Sequence, residues 1–276
     1  MLAGIGRYND LQVVRSSPHG LYLAFGQTEV LLPNKYVPEN SKEGQVVRVF
    51  VYKDSEDRLV ATTLQPAGVV GDFVVLEVVA VAPFGAFMEW GLEKHLLVPK
   101  AEMAQKMEVG RKYVVRIVLD YRTERLIGVS KIEGFLTEPE DLQPGEEVAG
   151  LIFKKTDLGY KVVVNQRYNG IIYHNTIFTP VTLGQAITCY VDKVRADGKI
   201  DLRLKKGGLE SIDSDANKLL AYLQAQGGAI TLTDKSSPAA IKTALGLSKK
   251  AFKRAVGTLY KQKIIVLHTN GIKLLA

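Results

Sequence analysis

GAFMEWGLEKHLLVPKAEMAQKMEVG, residues 85–110, is the stretch that decides the fold, because its layout occurs three times in the chain. Residues 20–44 and 159–184 have the same order: a glycine that opens a short apolar run, a second apolar run, and a closing glycine. The two glycines are 24, 25 and 25 residues apart in the three copies. This agreement indicates a repeated structural unit.

Each copy has the composition of a small β-barrel. Val, Ile, Phe and Tyr are enriched and turn residues divide the runs, which is typical of strands. Five strands with a helical turn after the third are the layout of an OB barrel. A barrel of about 65 residues buries only about 60% of its unfolded surface, so we expect neighbouring units to support one another. In the second copy we predict strands over 72–82, 86–90, 96–98, 113–121 and 125–129, and a helical turn over 101–107.

The last 69 residues have a different pattern. After Gly208 the apolar period changes from two to about 3.6, which favours helices. Asn270-Gly271 lies between two β-rich runs and predicts a type I′ hairpin. The order of elements is that of a winged helix-turn-helix. We predict helices over 215–224 (capped by Ser214), 238–245 and 249–262, with strands over 229–232, 264–268 and 272–275.

These patterns predict a mainly β, multidomain protein. Three tandem five-stranded OB barrels precede an α+β winged helix-turn-helix. Pro- and Gly-rich linkers divide the units, the last of them at residues 205–208. The predicted domains are residues 1–66, 67–140, 141–207 and 208–276.

Charge is concentrated in the C-terminal part. The 276 residues carry 36 Lys+Arg and 29 Asp+Glu, a formal net charge of +7. Residues 208–276 alone carry 10 basic and 4 acidic side chains, a net charge of +6. Such a balance suggests a polyanionic partner, most often nucleic acid, with charge that only maintains solubility as the alternative. The chain has no signal-peptide or membrane-helix pattern, so we expect a cytoplasmic protein.

Motifs for catalysis and metal binding are absent from the sequence. It contains neither a P-loop nor a Gly-x-Ser-x-Gly elbow. The four histidines fall in different units, and the single Cys189 excludes a cysteine-based zinc site and is expected to be a small buried hydrophobe. The acidic residues at 54, 56 and 57 have the pattern of a polar turn. We therefore expect no enzyme activity, no cofactor and no metal.

Parts of the repeats are similar to a known domain type. APFGAF at residues 82–87 and the last turn and strand of repeat two, at residues 120–130, resemble the S1-type RNA-binding OB fold. Residues 197–205 resemble the end of the same fold. Three such units followed by a winged helix resemble the bacterial conserved virulence factor B family over nearly the whole chain. The resemblance implies binding of single-stranded RNA and post-transcriptional control of gene expression.

The S1 resemblance assigns positions on each repeat. The two exposed aromatics of strand two fall on Phe84 and Phe87 in repeat two, whereas repeats one and three have His19 with Tyr22 and Leu158 with Lys161. Repeat one keeps the fewest S1 features and is expected to be degenerate. A histidine common after strand three is replaced by Leu32, Val98 and Tyr173, and the acidic position before the last turn falls on Lys53, Asp120 and Arg195.

Aromatic and basic side chains of repeats two and three are the candidate RNA contacts. Each base–aromatic stack contributes roughly 1–3 kcal/mol, and we expect Gly85 to let a ligand approach the backbone. The alternatives are core phenylalanines, ordinary strand tyrosines and solvated charges. The candidates are Phe84, Phe87, His95, Lys100, Arg122, Arg125, Lys154, Tyr160, Lys161, Arg167, Tyr168, Tyr173, His174, Lys193, Arg195, Lys199 and Arg203.

The last predicted helix carries a second basic surface. Phe252, Ala255 or Val256, and Leu259 fall on its core side. The opposite face lacks the residues that read bases in pairs, so we expect contacts with a phosphate backbone or a protein. Its candidate residues are Lys249, Lys250, Lys253, Arg254 and Lys261.

Our main hypothesis is a non-catalytic regulator that binds single-stranded messenger RNA across repeats two and three, with the winged helix adding a basic contact. One alternative is a duplex DNA-binding transcription regulator that uses the winged helix. A second alternative is a protein-interaction scaffold whose modules no longer bind nucleic acid.

Overall fold

The computed structural model of the protein describes residues 4–177, 179–204 and 214–275. Within them the chain forms three closed five-stranded barrels, followed by three helices and a three-stranded sheet. The predicted mainly β, multidomain fold is thus confirmed. The predicted linker at 205–208 and the capping side chain of Ser214 lie outside the described residues.

The three barrels have one topology. In each, the first three strands form a meander, the fifth strand pairs in parallel with the third, and the fourth closes the barrel against the first. Barrel 1 consists of β1 (Tyr8–Ser17), β2 (Gly20–Phe25), β3 (Thr28–Pro33), β4 (Val46–Lys53) and β5 (Leu59–Thr62). Barrel 2 consists of β6 (Phe73–Ala82), β7 (Gly85–Glu89), β8 (Leu96–Pro99), β9 (Lys112–Asp120) and β10 (Arg125–Val129). Barrel 3 consists of β11 (Glu147–Lys155), β12 (Gly159–Val164), β13 (Tyr168–Tyr173), β14 (Ala186–Val194) and β15 (Ile200–Arg203).

The repeated glycine that opens strand two is required by the next strand. A Cβ on Gly20, Gly85 or Gly159 would lie 2.1, 2.4 or 2.1 Å from a carbonyl oxygen of strand three. The expectation that Gly85 leaves room for a ligand is therefore wrong, because its missing side chain leaves room for Val98. The helical turn after strand three is also shorter than the predicted 101–107, because only Lys100–Glu102 forms a 3-10 helix.

Strand register corrects two of the repeat alignments by one residue. Gly159 pairs with Tyr173, and its counterparts Gly20 and Gly85 pair with Pro33 and Pro99 rather than with Leu32 and Val98. The acidic position that Asp120 holds in barrel 2 falls on Asp54 in barrel 1, not on Lys53. The carboxylates of Asp54 and Asp120 both accept backbone N–H groups of the turn that follows.

The C-terminal region folds around its own core. It contains α1 (Ser214–Ala225), β16 (Ala229–Ile230), α2 (Pro238–Leu245), α3 (Lys249–Lys261), β17 (Ile265–His268) and β18 (Gly271–Leu274). Ser237 and Ser248 cap α2 and α3 through their side-chain oxygens. In the described part of the chain no helix is both long and apolar enough to span a membrane.

The hairpin at the end of the chain differs from its prediction. His268 pairs with Gly271, so the two loop residues are Thr269 and Asn270, and none of the three residues 269–271 has a left-handed φ. A type I′ turn is therefore absent at this hairpin. Gly271 is needed because a Cβ there would lie 2.1 Å from the carbonyl oxygen of Ile230 in β16.

The barrels share cores across their seams. Phe50 of barrel 1 is fully buried and meets Trp90 of barrel 2 edge to face, with ring centroids 5.9 Å apart. Tyr52 and Val60 join the same cluster. Between barrels 2 and 3, the Gln166 side chain exchanges two hydrogen bonds with the backbone of Phe73, at 2.7 and 3.0 Å. Neighbouring barrels thus support one another, as their small size requires.

Candidate nucleic-acid interface

The outer face of barrel 2 has an apolar floor that crosses three strands. Phe87 of β7 lies opposite Leu97 of β8, and Leu97 lies opposite Ile127 of β10. All three side chains are half-buried and line one groove of about 430 Å³. The alternation of strand side chains directs them away from the barrel core.

An aromatic pair stands at the edge of this groove. Phe84 precedes β7 and is 60% exposed, and its ring meets Phe87 edge to face with centroids 5.9 Å apart. The alternative of two core phenylalanines therefore does not hold. An exposed ring braced by a second ring is a suitable platform for a stacked base.

The charged rim of the groove comes from two barrels. Arg125 of barrel 2 binds the carboxylate of Asp57 in barrel 1, and this hydrogen bond lowers the pKa of Asp57. Lys94 donates to the carbonyl oxygens of Lys53 and Asp54 at 3.1 and 2.7 Å, while burial lowers the pKa of its ammonium group. The groove therefore lies at the seam between barrels 1 and 2.

His95 lines the same groove, whereas two other candidates of barrel 2 lie beside it. The His95 Nδ1 atom is 3.3 Å from a carboxylate oxygen of Glu89. The backbone N–H of Lys100 donates to the carbonyl oxygen of Phe84, and its side chain is exposed. Arg122 lines a second groove with exposed Tyr121, and Ile127 borders both grooves.

Barrel 3 presents a polar version of the same face. Lys161 takes the place of Phe87, and Asp201 takes the place of Ile127. Arg195 donates to Asp201 at 2.8 and 2.6 Å, and the hydroxyl of Tyr173 joins them. This network holds a guanidinium and a phenol ring on the outer surface, where they can meet a phosphate and a base.

Two lysines of barrel 3 are held by one carboxylate of barrel 2. Lys161 and Lys154 lie 2.5 and 3.0 Å from the two oxygens of Glu133. The hydrogen bond from Lys161 lowers the pKa of Glu133 most; burial opposes it and Lys154 adds to it. As at the first seam, an acidic side chain of the preceding barrel contacts basic residues on the face of the next.

The remaining candidates of barrel 3 are spread around the barrel. Tyr160 and Tyr168 pack against the core, which matches the alternative of ordinary strand tyrosines. Arg167 stacks on Tyr168 at the opposite end of β13 from Tyr173. Further contacts are His174 Nε2 with the Thr156 carbonyl at 2.9 Å, Lys199 with Asp197 at 2.8 Å, and Arg203 with Asp192 at 3.4 Å, while Lys193 is exposed.

The corresponding face of barrel 1 is partly covered. Arg15 lies over the ring of Tyr22, 3.6 Å from its centroid. Val60, the counterpart of Ile127, is only 7% exposed because it packs into the core shared with barrel 2. Both features leave less open surface than the groove of barrel 2 has.

The outer face of α3 is basic. Phe252, Ala255 and Leu259 are buried on the core side, as predicted. Of the five candidate cations, Lys249 is half-buried and the others are exposed, with Arg254 bound to Asp215 of α1 at 2.8 Å. The four exposed ones are Lys250, Lys253, Arg254 and Lys261.

Several residues of these surfaces were not among the sequence candidates. Leu97 and Ile127 form the floor of the groove and could have been found from their register with Phe87. Asp57 and Glu133 lie far along the chain from the cations they contact, so no local pattern indicates them. Within the described ranges, no group of three His, Cys, Asp or Glu residues could share a metal ion.

Comparison with known proteins agrees with this architecture. Residues 217–274 match the CvfB-like winged helix domain, and residues 5–64 match the S1 domain. Conserved virulence factor B of Staphylococcus epidermidis is 25% identical over 265 residues, which cover 93% of this chain and 87% of that protein. The chain is similar to conserved virulence factor B over most of its length.

Further similar proteins match the chain over most of its length. A Bacillus subtilis protein named Uncharacterized protein YitL is 28% identical over 266 residues, with 93% of this chain and 89% of that protein covered. A crystal structure described as a multidomain protein with nucleic acid binding domains from Streptococcus pneumoniae is 23% identical, with 99% of each chain covered and a TM-score of 0.46. The S1 match falls on barrel 1, which disagrees with the expectation of a degenerate first repeat; the S1-like motifs of the sequence lie in barrels 2 and 3.

Proposed function

We propose that this protein is a non-catalytic regulator of gene expression that binds single-stranded RNA. The observation that carries the proposal is the groove of barrel 2. It combines the exposed ring of Phe84 braced by Phe87, an apolar floor and the cation Arg125, which are the parts that a single strand needs for stacking and phosphate contact. OB barrels and winged helices are both typical nucleic-acid-binding architectures.

Barrel 3 extends the binding surface. Tyr173, Arg195 and Lys161 lie on the face that corresponds to the groove of barrel 2. Their ion pairs are exposed or half-buried, and such pairs contribute about 0–1 kcal/mol, so phosphates can replace the carboxylates at little cost. Shared cores hold the barrels together, and this raises the effective concentration of the second site once the first is occupied. Barrel 1 acts mainly as a support for barrel 2.

A second candidate function is duplex DNA binding through the winged helix. The basic outer face of α3 favours it. In a helix-turn-helix the second helix of the pair lies in the major groove of DNA, and α3 holds that position after α2. A protein-interaction scaffold is a third candidate. The three candidate functions predict different preferences between RNA and duplex DNA and a different dependence of binding affinity on salt.

The proposal is tested by fluorescence anisotropy of the full chain with a 20-nucleotide RNA, the matching single-stranded DNA and the DNA duplex, each over a salt series. We expect RNA to bind best, with a log–log salt slope of about −0.7 for each phosphate contacted. Stronger binding of the duplex would favour the transcription-regulator alternative. Absence of binding even at low salt would leave only the protein scaffold.

A pair of variants tests the groove itself. Phe84→Ala removes the exposed platform, and we expect RNA affinity to fall by about 1–3 kcal/mol, the contribution of one stacked base. Val109→Ala is the control, because Val109 is similarly exposed, at 63%, in the same barrel but lies outside the groove. Equal affinities of the two variants would refute the role of Phe84.

A further inference from the structure

The outer face of α3 contains a glycine that the fold does not require. Among the described glycines, most have a left-handed φ or a backbone or side chain that a Cβ would strike. Gly257 has neither: its φ is not positive, and a Cβ there would have no neighbouring atom within 4 Å. Because glycine is a poorer helix former than alanine, Gly257 weakens α3 without improving its packing.

The position of Gly257 on the helix shows what surrounds it. Lys250, Lys253 and Arg254 precede it by seven, four and three residues, and Lys261 follows it by four. These spacings place all four cations on the same face as the glycine. Phe252, Ala255 and Leu259 lie on the opposite, buried side. The helix is thus indented at the centre of its basic surface.

From this arrangement we propose that Gly257 is the point where the sugar-phosphate backbone of a nucleic acid crosses α3. The inference rests on the proposed nucleic-acid binding and adds the point of closest approach. Without a side chain at 257 the backbone lies nearer the helix axis, so the flanking lysines reach phosphates on both sides. The occupant is a polyanion, since four cations surround the indentation.

Helix stability and binding should therefore respond in opposite directions at this position. Gly257→Ala is expected to slow hydrogen exchange of the α3 amides about fivefold, because alanine stabilises a helix interior. The same substitution is expected to weaken nucleic-acid binding about threefold, and Gly257→Gln about tenfold. A purely structural role for Gly257 predicts no loss of affinity from a change that stabilises the helix.

The experiment uses the full chain with the 20-nucleotide RNA and the DNA duplex in parallel, which identifies the polymer that crosses α3. Ala221→Gln adds the same side chain to an exposed position of α1 and should leave affinity within twofold. Lys253→Gln reports whether the α3 face contributes. If Lys253→Gln weakens binding and Gly257→Gln does not, the inference is overturned while the proposed function stands. If the unaltered chain binds neither polymer, the proposed function fails and the inference fails with it.

Discussion

Phe50→Ala is expected to destabilise two barrels at once. Phe50 is fully buried, and its ring meets Tyr8 of its own barrel and Trp90 of barrel 2 edge to face, at 5.6 and 5.9 Å. Truncation of a buried phenylalanine costs about 3–5 kcal/mol, and each edge contact contributes about 0.5–1.5 kcal/mol beyond area. We therefore expect a loss of about 4 kcal/mol.

Hydrogen exchange of the full chain measures this loss in each barrel separately. A loss of about 4 kcal/mol corresponds to roughly thousandfold faster exchange of the most protected amides. We expect the acceleration in β4 of barrel 1 and also in β6 and β7 of barrel 2. Phe25→Ala is the control, because Phe25 is 3% exposed in a cluster whose buried members all belong to barrel 1. If both variants accelerate exchange in barrel 1 only, the reasoning about a shared core is refuted.

Three further predictions concern single side chains. Glu133→Gln should raise RNA affinity about threefold by releasing Lys154 and Lys161 for phosphates; unchanged anisotropy titrations would contradict the carboxylate's competing role. Burial raises the pKa of Tyr52 to about 12 from the 10 of a free phenol, so the folded state keeps a proton that the unfolded state loses. The free energy of unfolding should thus be independent of this group below pH 10 and fall by up to about 1.4 kcal/mol per pH unit towards pH 12. Urea denaturation of Tyr52→Phe between pH 10 and pH 12 should show a smaller loss of stability, because the variant lacks this phenol. Burial also raises the pKa of the Cys189 thiol to about 12, so iodoacetamide at pH 8 should modify it only after urea unfolding, as mass spectrometry would report.

The repeat is sufficient to predict the barrels, because the order of apolar runs and glycines in each copy is the order of the strands and turns. Glycines at the start of strand two and before strand four recur where the backbone geometry requires them. Strand ends and alignments are harder to predict, because a slip of one residue leaves the apolar pattern nearly intact. For this reason the sequence pattern aligns Tyr173 with Val98, whereas the strand register aligns it with Pro99.

The candidate surfaces were only partly predictable. Phe84 and Phe87 could be identified because the S1 resemblance separates exposed from buried aromatics. Composition could not distinguish Tyr173, which faces outward, from Tyr160 and Tyr168, which pack inward, because the difference depends on register. The contacts of Asp57 and Glu133 join distant parts of the chain and follow only from the packing of barrel on barrel.

The acidic contacts at the two seams limit how the barrels can be recombined. Each seam joins a carboxylate of one barrel to a cation of the next, Asp57 to Arg125 and Glu133 to Lys161. A chimera that exchanged barrels 2 and 3 would keep every strand and still separate both pairs. Such ion pairs are weak, but the same exchange would also part Phe50 from Trp90 and Gln166 from Phe73, so the three barrels are similar in fold but not interchangeable as modules.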